Sequence, residues 1–460
     1  MDATAIASAM TEEEKKKLYK KVLWRLIAII GPIYFFFGFD NLLLSYSALT
    51  MRADLGITDS LYGIIGSAGF LAALIFQIPY NIIIKKVGAR TLLPVAAIIW
   101  SLTSVFLFFA NSPMQVALSR FLNGVGDAGF FVCIMYWITL WLPSTYRATF
   151  TAIYIAGGSV TAIIGAPLCG IIVDQVNWFG IAGWRWLFFL PSIISLVIGL
   201  MGFILIRNRP EDAKWLTDRE KATINEDLSY ERSLLSEDGS AEETTKSAGE
   251  TFKMVMTSRT LWHLGFLYFF IQAGINTFGR WMTLIVQGFD PTLTATQIGY
   301  ISAPMALTSV IFSVWAGAHS DKKKERRWHT ILPMASGFVS FILIALPIGL
   351  VPKIVVLSLL AAYGFASWYG PYWTLPAALL SPDIVNIGIA VICCMSSLSG
   401  FLGNLASGPI VQYFGHTGLL LFLAGLIIIA IVLATTVDYK KVAQVDQGKA
   451  LDAAKDGLMD

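Results

Sequence analysis

Charge is what this chain has least of. Asp, Glu, Lys and Arg make up 14% of its 460 residues, where an ordinary soluble domain carries about 25%. That deficit excludes an average soluble globule. Cysteine and histidine are scarce too, four of each. Cys133, Cys169, Cys393 and Cys394 stand in apolar segments without metal-ligand or redox spacing, so they read as small core residues. His263, His319, His329 and His416 fall at helix ends and in loops, leaving none for a proton relay at mid-depth. The sequence has no phosphate-cradling glycine loop and no nucleophile triad. Enzymatic activity, a cofactor and a metal are therefore not expected. The net charge of +3 says little, because the basic residues are placed rather than spread, and nucleic acid is not an expected partner.

What the chain has instead is long apolar runs, with a mean hydropathy of +0.67. Runs long enough to cross a bilayer lie near 25–49, 60–84, 91–110, 114–141, 148–173 and 184–206, and again near 259–286, 296–318, 329–350, 353–380, 384–413 and 417–437. The expected fold is an all-α membrane protein with twelve transmembrane helices in two pseudo-symmetric six-helix halves. Residues 1–20 read as an N-terminal tail, 21–206 as the first half, 207–257 as a polar linker, 258–437 as the second half and 438–460 as a C-terminal tail. Basic residues cluster in alternate connections: Lys15–Lys21, Lys85–Arg90, Arg147, Arg207–Arg259, Lys322–Arg327 and Lys440–Lys441. That pattern places both termini and the linker in the cytoplasm, in a multi-pass protein of the cell inner membrane. LGITDSLYG (55–63) and LTATQIGYIS (293–302) open the second and eighth spans alike, with a Ser/Thr cap and a Gly at matching places.

Four charges interrupt these spans. LSRFLNGVGDAGFF (118–131) carries Arg120 and Asp127, about two helical turns apart. Asp40 and Arg280 sit at comparable depth. Charges at that depth are costly and are usually kept only facing a bundle interior or a water-filled cavity. A solute pathway and a structural ion pair both fit, and four such charges favour the pathway. Gln272, Asn276 and Arg280 fall at i, i+4 and i+8, one polar stripe on the seventh span; Arg280 could line the site or reach to the headgroups. The tenth span, AAYGFASWYGPYWTLP, supplies candidate aromatic walls, above all Tyr363 and Trp368.

Several stretches together resemble the anion:cation symporter family of the major facilitator superfamily. They are IPYNIIIKKVGAR (78–90), RFLNGVGDAGFF (120–131), GWRWLFFLPSI (183–193), RNRPEDAKWLTDREK (207–221), HSDKKKERRWH (319–329), GPYWTLPAALLS (370–381) and SLSGFLGNLASGPIV (397–411). The family includes permeases for sugar acids, tartrate, phthalate and 4-hydroxyphenylacetate. Where it usually carries Asp-Arg on the first span, this chain has Asp40-Asn41; where it carries Glu on the fourth, this chain has Asp127. Arg280 stands where the family would have an apolar residue, as though one arginine had moved from the first span to the seventh.

The resemblance implies alternating access and proton-coupled uptake of a small organic anion, such as an aromatic carboxylate, dicarboxylate or sugar acid, by a functional monomer in the lipid bilayer. Arg120, Arg280, Asn41, Asn276, Gln272, Tyr363, Trp368, Tyr34 and Asn404 are the substrate-binding candidates. Asp40 and Asp127 are the proton-coupling candidates. Gly88, Arg90, Gly317 and Asp321 are assigned to gating. An exchanger or uniporter of the same fold stays open as the alternative, with a non-transporting sensor more distant.

Overall fold

The structure, a computed structural model, describes residues 10–237 and 248–444. Residues 1–9 and 445–460 of the expected tails, and 238–247 of the linker, lie outside the described residues. Every regular element among the described residues is helical. The spans are α1 (Glu12–Asp54), α2 (Asp59–Val87), α3 (Ala89–Leu107), α4 (Pro113–Thr139), α5 (Ser144–Gln175) and α6 (Gly183–Leu205), then α7 (Arg259–Gln287), α8 (Ala295–Lys323), α9 (Arg327–Ala345), α10 (Leu350–Leu379), α11 (382–414) and α12 (416–435). α11 and α12 join at Gly415, whose φ of 65° breaks the helix.

The repeat seen in the sequence is a pair of helix starts. Thr58 caps α2 by accepting from Leu61 N at 3.3 Å. Thr294 caps α8 and forms a capping box with Gln297. α1 begins at Glu12, within the stretch expected as the N-terminal tail, with its own capping box on Thr11 and Glu14. At 43 residues, α1 runs about 65 Å, longer than a bilayer core, and its first turns dock on the linker helix Asp218–Glu237. Lys15 reaches Asp227 at 2.8 Å, Tyr19 donates to the same carboxylate at 2.6 Å, and Lys21 reaches Glu220 at 2.7 Å. Half-buried Glu220 feels two opposed effects. Burial pushes its carboxyl up, but Lys21 and the Thr217 N–H outweigh this and hold it below the ordinary 4.5.

The two halves meet at the end of the bundle opposite the termini. There α2 crosses α11 and α5 crosses α8, each through glycines. A Cβ on Gly170 would stand 2.2 Å from Ala295 O, and one on Gly299 2.6 Å from Ala166 O. A Cβ on Gly408 would stand 2.7 Å from Asp59 O. Asp174 of α5 accepts from the first N–H groups of α8, Ala295 at 3.2 Å and Thr296 at 2.7 Å. Ser60 of α2 donates to Gln412 of α11. Nearer mid-depth, Ser45 and Thr283 join α1 to α7 at 3.1 Å, and Tyr62 of α2 donates to Arg280 O at 2.9 Å. The bundle is thus sealed at the end away from the termini.

Candidate functional site

The mid-depth charges gather around Asp40. Both of its carboxylate oxygens are occupied: Ser104 of α3 donates to Oδ1 at 2.5 Å, while Arg120 Nη1 and Asn123 Nδ2 of α4 donate to Oδ2 at 3.3 and 2.9 Å. Asp40 is 5% exposed and Arg120 3%, so the pair is cut off from lipid, and charge-assisted bonds hold it where bare charge would be costly. The fourth span supplies Arg120 and Asn123 from one face, three residues apart. Arg120 therefore pairs with the first span's carboxylate rather than with Asp127 on its own helix. Asp127 is half-buried at the end of the first segment of α4, and no hydrogen bond or ion pair reaches it from the described residues.

Arg280 is the second cation. At 9% exposed it does not reach out to the headgroups. Its guanidinium carbon lies 5.8 Å from the ring centre of Phe70 on α2. Its stem passes Gly66, where a Cβ would stand 3.1 Å from Arg280 Cγ and 3.3 Å from Asn404 Oδ1 of α11. Gly69, one turn further along α2, lies against the Arg120 backbone: a Cβ there would be 3.2 Å from Arg120 O. Both arginines thus lie against one glycine-bearing face of α2. Arg280 is within electrostatic reach of Arg120, Asp40 and Asp127. Its Nη1 is buried without a hydrogen-bond partner, as are Asn404 Oδ1, Thr277 Oγ1 and Asn123 Oδ1. Buried polar atoms are normally satisfied, so this concentration of open donors and acceptors marks a place prepared for something polar.

A cavity of about 530 Å³ lies between α1, α5, α7 and α8, and Asp40, Arg120, Asp127 and Arg280 are not among the residues that line it. Its walls include Tyr34, Asn41 and Tyr46 of α1, Gly158 of α5, Thr283 of α7 and Ser302 of α8. Asn41 is exposed there and donates to Phe37 O at 3.1 Å. Asp40 and Asn41 are neighbours in sequence, yet one points into the charged cluster and the other to the cavity, as 100° per residue requires. Tyr34 stacks on Tyr154 of α5 with ring centres 3.9 Å apart.

Other candidates sit elsewhere. Trp368 is wholly buried, edge-on to Tyr268 and Tyr372 with ring centres 5.7 Å away, and its Nε1 donates to Phe365 O at 3.1 Å. It belongs to the core of the second half and offers no wall to a solute. Tyr363 is half-buried against Phe312 of α8, ring centres 5.5 Å apart. Gln272 donates to Ser396 of α11 at 3.1 Å, a helix–helix bond. Asn276, half-buried, stands one turn before Arg280. Of the gating candidates, Gly88 takes φ 79° at the α2–α3 turn, and Arg90 N and Nε bond Asn208 Oδ1 and Phe203 O at 2.8 and 3.3 Å. Asp321 pairs with Arg326 at 2.5 Å, and Gly317 stands in open space. Sequence reasoning missed Ser104, Asn123, Gly66 and Phe70. Asn123 carried a signal, three residues after Arg120; Ser104 carried none, because helix–helix registry brings it to Asp40.

Residues 30–404 match the family model of the Major Facilitator Superfamily. "Putative tartrate transporter" of Agrobacterium vitis is 29% identical over 434 residues, covering 92% of each chain. "Putative metabolite transport protein NicT" of Pseudomonas putida is 29% identical, covering 96% of this chain and 99% of its own. A solved bacterial homolog of the human lysosomal transporter Spinster, in an inward-facing and occupied conformation, has a TM-score of 0.71 at 16% identity, covering 90% of this chain and 97% of that one. That likeness speaks to fold alone. The first two relatives bear out the resemblance to the anion:cation symporter family.

Proposed function

The chain belongs to the Major Facilitator Superfamily, and we propose that it is a symporter that brings a small organic anion and H⁺ across the membrane together. The observation that carries this reading is the Asp40–Arg120 pair, 3.3 Å apart and buried at mid-depth. Arginine keeps its charge at any working pH and donates two parallel hydrogen bonds to a carboxylate. A substrate carboxylate therefore competes with Asp40 for the same guanidinium. A proton on Asp40 weakens its hold and frees Arg120. Proton and anion then favour one another's binding, and linkage makes the effect reciprocal. Asp127, near both arginines, is the second acid able to take up a proton as negative charge enters.

The cavity beside Asn41 and Tyr34 is the approach. The Lys/Arg pattern puts the termini in the cytoplasm, so the sealed end faces outward and the conformation is the inward-open one. A functional monomer is the oligomeric state proposed. Gly88, Arg90, Gly317 and Asp321 are assigned to the cytoplasmic gate, where Arg90 ties the start of α3 to the end of α6 and Asp321 ties α8 to the start of α9.

Proteoliposomes loaded with a pH dye test the proposal. Adding a transported anion outside, with no imposed gradient, acidifies the lumen as the anion enters. Rapid anion counterflow without any pH change would overturn symport in favour of exchange.

A further inference from the structure

A second cavity, of about 730 Å³, lies where the start of α7 meets the end of α12, at the end of the bundle that carries the termini. Asp40, Arg120, Asp127 and Arg280 do not line it. Its rim is basic. Arg259, the first residue of α7, and Lys441, just beyond α12, are both exposed, and no hydrogen bond or ion pair reaches either side chain from the described residues. The carboxylate on the same wall, Asp438, accepts from Lys441 N at 3.1 Å, so it caps the turn that presents the lysine.

Below the rim the walls turn apolar. Trp262 and Phe266 stand one turn apart on α7 with ring centres 6.0 Å apart. Phe266 lies about 10 Å along the helix from Arg259 and is exposed. His263 joins the two walls, its Nε2 donating to Leu433 O at 3.0 Å. The α12 wall continues a stripe: Ile428, Ile429 and Val432 are exposed, and Thr436, at the cavity, follows Val432 by four residues on the same face. An exposed apolar stripe along a spanning helix is a surface for lipid chains. The cavity therefore opens where that surface reaches the water boundary.

A pair of unpartnered cations above an apolar wall matches a molecule with a negative head and a hydrocarbon tail. Guanidinium and ammonium both suit a phosphodiester, and basic pockets between spanning helices on the cytoplasmic side take anionic headgroups. Free phosphate makes no use of the apolar wall, and a zwitterionic lipid brings a cation of its own against the rim. We propose that this cavity binds one anionic phospholipid of the leaflet at the end that carries the termini. Its phosphate sits between Arg259 and Lys441, and an acyl chain runs along Phe266 and the Val432 stripe. The bound lipid fastens the first turn of α7 to the end of α12.

The test uses purified full-length protein, stripped of lipid in neutral detergent. Phosphatidylglycerol or phosphatidylethanolamine with the same acyl chains is added back, and retention is read by native mass spectrometry and by thermal shift. Wild type is expected to retain phosphatidylglycerol about tenfold more tightly than phosphatidylethanolamine, with a raised melting temperature. Arg259→Gln/Lys441→Gln should erase that preference while melting as wild type without lipid, because both side chains are exposed. Lys322→Gln/Lys323→Gln, which removes the same charge from the end of α8, should keep it. Inorganic phosphate and deacylated phosphatidylglycerol should not displace the bound lipid. Equal retention of the two lipids by wild type would overturn the proposal, and so would a preference that survives Arg259→Gln/Lys441→Gln. Loss of preference in both double variants would reduce the effect to general surface charge and overturn it as well. Displacement by inorganic phosphate or by the deacylated headgroup would assign the cavity to a soluble phosphate instead.

Discussion

Asp40 and Arg120, 80 residues apart in sequence, share a carboxylate oxygen that also receives Asn123. One oxygen therefore ties the first span to the fourth twice. Removing one partner of a buried pair leaves the other charge uncompensated, at a cost of about 3–5 kcal/mol. Arg120→Ala should lower the melting temperature sharply and abolish anion binding. Asp40→Asn in the same chain removes the stranded charge, so the double variant should recover stability but not binding. Thermal melts and calorimetry on the three variants check this; a double variant no more stable than Arg120→Ala would show that the pair does not hold the helices.

Symport of a monocarboxylate with one proton carries no net charge, so its rate should not respond to membrane potential. A dicarboxylate carried with one proton should move net negative charge inward, opposed by an inside-negative potential. Flux ratios with a pH dye, measured with and without a potassium diffusion potential, read both quantities.

Trp368 separates core from site. Its ring is wholly buried, so Trp368→Ala should cost about 3–5 kcal/mol of stability, while substrate affinity per folded molecule changes little. Asn41→Ala should do the reverse, weakening substrate binding with little effect on melting, because Asn41 is exposed to the cavity. Paired melting and binding measurements distinguish the two, and a Trp368→Ala protein that melts normally but binds poorly would return Trp368 to the site.

The twelve spans were legible because apolar length and the lysine pattern are one-dimensional signals, and the caps at Thr58 and Thr294 are local. The charged residues were legible too, since charge in an apolar run stands out. Their partners were not. Arg120 and Asp127 share a helix, which makes them look paired; yet Arg120 bonds Asp40, because α1 and α4 approach at that level and Ser104 and Asn123 complete the contact. Such pairing depends on how helices are rotated against one another, which spacing within one helix does not encode. Trp368 misled for a related reason. An aromatic run in a span looks the same in sequence whether it faces a cavity or the neighbouring helices.

Glu220 should act as an acid-sensitive latch between α1 and the linker helix. Lys21 and the Thr217 N–H hold its carboxyl below the ordinary 4.5. A group whose folded pKa is depressed contributes stability above its unfolded value, and loses it as pH falls through the folded value. The contact is half-exposed, so its worth is on the order of 0.5 kcal/mol, enough to loosen a local contact but not to melt the bundle. Labels on Lys20→Cys and Ser229→Cys should separate below about pH 4.5, and Glu220→Gln should show the wider separation already at neutral pH. Acid-independent spacing in the unsubstituted latch would show that Glu220 does not hold the docking, which would then rest on Lys15, Tyr19 and Asp227.

Gly170 offers a way to hold the sealed end open. Its missing Cβ would lie 2.2 Å from Ala295 O and 2.6 Å from Ala295 C, both backbone atoms that cannot swing aside. Gly170→Ala must therefore force α5 from α8 at the end opposite the termini. Overpacking of this kind costs about 1–3 kcal/mol, which shifts a two-state balance by about 5- to 150-fold. The strain exists only where α5 and α8 touch, so it penalises the sealed conformation and spares the one open at that end. Ser302, 5% exposed on the cavity wall, is a suitable reporter. In a cysteine-free background, Ser302→Cys should react slowly with an impermeant thiol reagent added on the side away from the termini, and much faster once Gly170→Ala is present. Net uptake should fall while ligand binding persists, since the Arg120 and Arg280 positions are untouched. If labelling does not accelerate although the protein melts normally, the α5–α8 crossing is not the seal, and closure would rest on Gly63 and Gly408 where α2 meets α11.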